Sequence, residues 1–460
     1  MIHNPPREPL IAIVGATGTG KSQLAVELAK RHNGEIINGD AMQLYAGLPI
    51  ITNKITLEEQ QGIPHHLLGC IGLHEPTWVV GTFVKQALGV IEEIRARGKL
   101  PILVGGTHYY TQSLLFHDRL ADGDRTIARH VSDSEDSGHD RLPLLEQPTE
   151  VLLDQLRRVD PAMAERWHPR DRRKIQRSLE IFLKTGKKAS ETYAEQRTRR
   201  SNTADQHDSP DGDAEGLDVG RTRFQILIFW LHAEPNVLRE RLDRRVDKMF
   251  DAGLLEEVHT LDTYSEAELA VGRTVDETRG IWVSIGYKEF KDYAHALDLG
   301  LATAKELEQL RLEALEKTRV ATRQYAKRQL RWIRIKLLLS LLNANALDSI
   351  YVVDGSNVKN FSETVVEPAR ELTQLFLHGC DMPSAEQVLP AAAELLKPKR
   401  AFDISAAPEE WKKRHCDACN VTCVVPQQWE QHVNSKAHKK TLSKLRQRET
   451  CASSQDVRGE

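Results

Sequence analysis

The stretch Leu10-Ile11-Ala12-Ile13-Val14-Gly15-Ala16-Thr17-Gly18-Thr19-Gly20-Lys21-Ser22 sets the architecture. Its apolar half reads as a short buried strand, and Gly15 to Ser22 fit the phosphate-loop pattern G-x-x-x-x-G-K-[ST]. That pattern has meaning only after a strand and before a helix, and the apolar spacing of Ser22 to Arg31 is helical. Glycines let backbone N–H groups turn inward around phosphate oxygens, and the helix N-terminus adds its positive dipole end. Lys21 supplies a point charge, and the Ser22 hydroxyl can reach a phosphate-bound magnesium. All eight residues from Gly15 to Ser22 are therefore phosphate-binding candidates. The loop alone does not name the phosphate compound; a nucleotide-hydrolysing enzyme or a small-molecule kinase is the default.

Outward from the loop, Ile36-Ile37, Pro101 to Val104 and Phe224 to Leu231 are further short apolar runs, with helical pattern such as Val80 to Arg97 between them. Strands alternating with helices predict an α/β fold, a parallel sheet covered on both faces. Between Asp118 and Arg223 the strand pattern lapses. Val151 to Arg166 and Pro169 to Thr185 read as helical, the first interrupted near Asp160-Pro161, so this span is expected to be a helical insertion. It closes with Ser201 to Gly220, which holds six acids and no Lys or Arg and reads as a solvated loop. Beyond Asp354 the prolines Pro383, Pro390 and Pro398 suggest a connection. The expected division is core 1–117, insertion 118–223, core 224–355, linker 356–406 and a small basic Cys/His unit 407–448.

Composition excludes several classes. The 460 residues are 40% hydrophobic and 28% charged with a formal charge of −3, so only local patches could recruit nucleic acid. Six unevenly spread cysteines do not frame a disulfide scaffold. No apolar run approaches the ~18 residues of a spanning helix, and Met1 to Pro9 resembles neither a signal nor a transit segment. A soluble intracellular monomer is expected, cytoplasmic with nuclear or mitochondrial shares open.

A kinase usually ends a later apolar strand in a magnesium-organising acid. Here Pro101 to Val104 runs into Gly105-Gly106-Thr107, and the nearest strand-end acid is Asp40, after Glu35 to Gly39. A carboxylate at a strand's C-terminal edge beside a phosphate site suits a general base, though a surface turn would also hold an Asp there.

These residues, with Asp40-Ala41-Met42-Gln43-Leu44-Tyr45, Pro64-His65-His66-Leu67-Leu68, Gly98 to Thr107, Gln176 to Glu180, Arg241 to Met249, Ile285-Gly286-Tyr287 and Thr322 to Gln329, resemble the tRNA dimethylallyltransferase (tRNA isopentenyltransferase) family from Leu10 to about Trp332. The Gly105-Gly106-Thr107 block and the TRQ-x-AKRQ run are its specific parts. Departures are Ala41 where Ser is usual, His108 where Gly is common, and extra sequence around His130 to Asp140 and Ser201 to Gly220. The resemblance implies transfer of a dimethylallyl group from dimethylallyl diphosphate to N6 of the adenosine 3′ of the anticodon, with magnesium. It implies that Gly15 to Ser22 hold diphosphate, Asp40 is the base, Thr107 sits against the diphosphate and reacting amine, and Arg245 reaches the diphosphate. It also implies tRNA contacts at Asp40, Ala41, Met42, Gln43, Gln176, Arg177, Ser178, Leu179, Glu180 and Val283-Ser284-Ile285-Gly286-Tyr287-Lys288. Independently, Lys317 to Lys336 holds eight Lys/Arg and no acid, with Arg319, Arg323, Lys327 and Arg331 at four-residue spacing. Arg323 and Lys327 are thus candidates for RNA phosphates.

Cys416-x2-Cys419-x12-His432-x5-His438 has two-Cys, two-His zinc-finger spacing, implying structural Zn2+. Cys423 is expected to be a bystander. The long histidine spacer resembles RNA-binding fingers, and such a finger is appended in eukaryotic members of the family. Alternatives are a small-molecule kinase and a zinc-finger RNA-binding protein without catalysis.

Overall fold

A computed structural model describes residues 4–117, 143–195, 222–300, 302–398 and 413–445. The acidic segment 201–220, the extra residues 130–140 and residues 399–412 lie outside it. Two compact units emerge, residues 1–122 with 220–401, and residues 123–219 with 402–460.

The first unit is built on six parallel strands: β1 (Pro9–Gly15), β2 (Gly34–Asn38), β3 (His65–His66), β4 (Leu100–Val104), β5 (Gln225–His232) and β6 (Ile350–Asp354). Their order is β3-β2-β4-β1-β5-β6. Apart from the two-residue edge strand β3, they are buried along nearly their whole length, as continuous apolar runs in a two-sided sheet should be. One face packs Leu10, Ala12, Val14, Phe83, Leu103 and Trp230; the other packs Ile11, Ile13, Leu24, Leu28, Ile102 and Phe229. Sequence periodicity missed β3 and β6.

The edge strand is held by charge. Glu35 is buried and accepts from His66 Nε2 at 2.6 Å and Arg97 Nη2 at 2.6 Å, and pairs with Lys99 Nζ at 2.9 Å. Burial raises its carboxyl, but these three partners outweigh burial and hold it at about 2.

Residues 356–398 correct the linker expectation. Phe361, Val365, Val366, Ala369 and Leu372 belong to the second core face, the last two on the helix Glu367–His378. The prolines that suggested a connection follow this helix, whose apolar spacing the composition argument passed over.

In the second unit, the helix Thr149–Val159 ends where expected. Asp160 then caps Pro161–Arg166, its carboxylate accepting from Met163 N–H at 3.2 Å and Ser190 N–H at 2.8 Å. The helix Arg172–Thr185 packs Ile175 and Leu179 against Leu152, Leu156 and Trp167. The hairpin β7 (Arg414–Cys416) and β8 (Val421–Cys423) and the helix Pro426–Asn434 form the Cys/His unit, and Lys413 Nζ donates to Ala164 O at 2.9 Å.

Candidate active site

The carboxyl ends of the neighbouring strands β2, β4 and β1 lie side by side, at the end of the sheet where parallel α/β proteins bind ligands. Gly18 and Gly20 have φ of 80° and 97°, values that favour glycine. A Cβ on Gly20 would lie 2.7 Å from the Phe361 ring. No side chain caps the helix Lys21–Arg31, so its first N–H groups are open to an anion. Lys21 Nζ folds back to donate to Ala16 O at 2.8 Å. Burial lowers its ammonium to about 8, with Arg245 adding and Asp40 opposing.

Asp40 lies just past β2 in a turn set by Asn38. The Asn38 Oδ1 accepts from Asp40 N–H at 2.9 Å, while its Nδ2 donates to Leu67 O at 2.8 Å. The Asp40 Oδ1 accepts from Met42 N–H at 3.0 Å. Burial raises its carboxyl above the usual range; the Met42 and Gly106 N–H groups, Lys21 and Arg245 pull the other way.

The glycine pair after β4 is required by contact. A Cβ on Gly105 would meet the Gly39 backbone at 2.2 Å, and one on Gly106 would meet Asp40 Oδ2 at 2.6 Å. Thr107 Oγ1 accepts from Ala41 N–H at 3.0 Å, and its hydroxyl is also hydrogen-bonded to Tyr325. Arg245, on the helix Pro235–Asp251, donates from Nη1 to Thr17 Oγ1 at 3.1 Å. Burial lowers its guanidinium to about 10 against the pull of Asp40. Lys21, Asp40 and Arg245 thus feel one another's charge, which a surface arginine or a turn aspartate would not.

Three residues of this crevice received no role from the sequence. Tyr325 and Gln329, one turn apart on the helix Ala304–Trp332, both donate to Gly106 O, at 3.3 and 2.9 Å. Their signal was an uncharged polar pair at i, i+4 inside a basic run. His108 is buried with neither ring nitrogen bonded to protein, and burial together with Lys21 lowers it to about 3, so its imidazole is neutral.

Some of the expected RNA contacts are enclosed or already paired by protein. Ser178 accepts from Trp167 Nε1 at 2.9 Å and Leu179 is core. Tyr287 is fully buried and donates to Asp262 at 2.8 Å, and Ser284 is buried beside it. Arg323 is committed to Asp243 at 2.7 Å and Glu316 at 2.7 Å, and Arg319 to Asp247 at 2.5 Å. Helical spacing aligned these arginines, but the acids they meet stand on another helix or two turns earlier. Ala41, Met42, Gln43, Gln176, Arg177, Glu180 and Ile285 are partly exposed, and Val283, Lys288 and Lys327 are exposed.

The ligand atoms of Cys416, Cys419, His432 and His438 lie within 4.8 Å of one another. Cys416 Sγ and Cys419 Sγ stand 3.6 and 3.3 Å from His438 Nδ1, near the ~3.5 Å edge of a tetrahedron around zinc. His432 Nε2 is buried without a protein partner, as a ligand nitrogen would be. The donor set fits Zn2+ and closes it, so this is a structural site. Cys423 is buried outside the four.

Residues 43–336 match the family model of IPP transferase, residues 9–72 that of isopentenyl transferase, and residues 414–438 a zinc finger of C2H2 type. The chain is 35% identical over 455 residues to the tRNA dimethylallyltransferase of Schizosaccharomyces pombe, covering 96% of each. It is 35% identical to that of Homo sapiens, covering 95% of this chain and 86% of the relative. The tRNA dimethylallyltransferase of Anoxybacillus flavithermus is 36% identical but covers only 71% of this chain and 88% of its own. A crystal structure of a eukaryotic dimethylallyltransferase acting on tRNA superposes with a TM-score of 0.72 at 31% identity, covering 97% of this chain and 100% of that one.

Proposed function

Because the chain belongs to the IPP transferase family of tRNA dimethylallyltransferases, we propose how its own residues carry the transfer to tRNA. The donor is dimethylallyl diphosphate, and the acceptor is N6 of the adenosine 3′ of the anticodon. The bond between prenyl C1 and a diphosphate oxygen breaks, its electron pair leaving on that oxygen. The N6–C1 bond forms, and the N6 proton passes to an oxygen of Asp40. Gly18 to Ser22 hold the diphosphate through backbone N–H groups, and Lys21 and Arg245 neutralise the charge that grows on it. Thr107, its oxygen fixed by Ala41 N–H, would turn its proton from Tyr325 to the diphosphate or the amine.

The raised carboxyl of Asp40 is what a base poised for an amine proton requires. The adenine reaches it only after extrusion from the anticodon stack, at a cost of a few kcal/mol. Exposed Lys288 and Lys327, and the basic residues around the finger, supply phosphate contacts.

Magnesium fits through Ser22, whose exposed side chain opens the helix of the phosphate loop. One protein hydroxyl suffices where diphosphate oxygens and water complete the shell. When bound, the ion would neutralise diphosphate charge.

The strongest support for this reading is the mutual charge coupling of Lys21, Asp40 and Arg245, three groups from separate segments. Incubation with tRNA, dimethylallyl diphosphate and magnesium should add one prenyl mass to one adenosine, read by mass spectrometry. Phosphate release from ATP without that gain would replace this reading with a kinase.

A further inference from the structure

The side-chain amide of Gln329 ties the phosphate loop to Gly106, on the loop after β4, whose N–H meets the Asp40 carboxylate. Its Oε1 accepts from Thr17 N–H at 2.7 Å, across 312 residues of sequence. Its Nε2 donates to Gly106 O at 2.9 Å. Gln329 is 4% exposed, so the amide is enclosed and both of its ends are occupied. The same Gly106 faces the base: a Cβ there would stand 2.6 Å from Asp40 Oδ2 and 2.7 Å from Gln329 Nε2. Thr17 in turn receives Arg245 on its hydroxyl at 3.1 Å. One planar amide therefore links the phosphate loop to the loop after β4, and the Gly106 N–H of that loop holds the carboxylate assigned to proton removal.

The Thr17 N–H is already taken, so it is withdrawn from the donors that can hold an anion, and the cradle is left to the later N–H groups and Lys21. The amide also fixes the spacing between the phosphate loop and Gly106, the residue against which the Asp40 carboxylate rests. In-line attack needs the reacting atoms at near-attack distance, where a displacement of ~1 Å costs on the order of 10²-fold.

We propose that Gln329 is a positioning residue for prenyl transfer, holding the phosphate loop and the Gly106 loop that supports the Asp40 carboxylate at the spacing the reaction needs. Both ends of its amide are taken by protein, so it acts through the loops it joins, and the proposal rests on the assignment of Gly18 to Ser22 to diphosphate and of Asp40 to the base. Tyr325 also donates to Gly106 O, and so shares the Gly106 side of this link.

The test compares full-length wild type with Gln329→Met, which keeps the volume and loses both hydrogen bonds, and with Gln329→Glu, which keeps the acceptor for Thr17 and loses the donor to Gly106. Steady-state kinetics give kcat and KM for each substrate, calorimetry with inorganic diphosphate and magnesium gives leaving-group affinity, and circular dichroism gives the folded fraction. Both variants should lose about 10–10²-fold in kcat while diphosphate affinity stays within about threefold, because the remaining cradle is intact. An unchanged kcat in Gln329→Met overturns the proposal. So does a loss confined to diphosphate affinity, or one accounted for by unfolded protein. Should Gln329→Met fail to fold, Gln329→Glu alone carries the same criteria. Absence of transfer by wild type would instead remove the underlying assignment, so the two failures are distinguishable.

Discussion

The Arg245 guanidinium donates to the Thr17 hydroxyl at 3.1 Å, joining residues 228 positions apart. A helix from the second half of the core thereby reaches over the first glycine-flanked turn of the phosphate loop. Arginine and lysine stand on one site with a single buried carboxylate between their fields. Such an excess of positive charge is destabilising by itself, and a bound diphosphate would relieve it.

Lys21→Ala should reduce turnover greatly while leaving the fold intact, because it removes charge from the leaving-group site and no core packing. A single oxyanion-type donor is worth about 10²–10³ in rate. Turnover and diphosphate affinity both at wild-type values would show that the loop does not hold the leaving group.

Asp40→Asn keeps shape and the Met42 hydrogen bond but cannot take the N6 proton. Turnover should fall by roughly 10²–10⁴ and tRNA affinity much less. If filter-binding finds the whole loss in tRNA affinity, Asp40 positions RNA and transfers no proton.

The pH profile of kcat/KM for the diphosphate should be bell-shaped. Asp40 works deprotonated and burial raises its pKa, so activity is lost as pH falls through a value above 3.8. Lys21 works protonated and its pKa is lowered to about 8, so activity is lost again as pH rises through that value. Lys21→Arg should move the alkaline limb upward, since a guanidinium stays charged. An alkaline limb that does not move assigns that ionisation elsewhere.

Phe361→Ala should cost about 3–4 kcal/mol in a denaturant melt, the usual effect of emptying a buried phenylalanine site. It should also weaken diphosphate binding, because the ring backs Gly20 at the turn into the helix. Phe361→Leu should recover most of both. Stability within about 1 kcal/mol of wild type, by the same scale, would mean that residues beyond β6 are not part of the core.

Chelation of zinc, or Cys416→Ser, should unfold the finger, which is too small to fold without metal. The core should keep its diphosphate site. Affinity for tRNA should fall, and its log–log salt dependence should flatten by roughly one unit for each phosphate the finger no longer engages. Equal slopes with and without zinc would assign the finger to a different partner.

Local pattern carries much of this protein. A strand, a glycine turn and a lysine in the first 22 residues point to an α/β fold with a phosphate-loop pattern, because those motifs are read within a short stretch of chain. The zinc ligands are equally legible, since a fixed spacing closes a tetrahedron whatever surrounds it. Distance along the chain concealed the rest. Whether an arginine on a basic helix meets RNA or an acid depends on its neighbours in space, and Arg323 found Asp243 and Glu316. Whether residues after Asp354 connect or pack depended on a sixth strand and on Phe361 reaching the phosphate loop. The link from Thr17 through Gln329 to Gly106 spans 312 residues on one side and 223 on the other. No local propensity encodes such a bond; it exists only once the sheet has brought the carboxyl ends of its strands together.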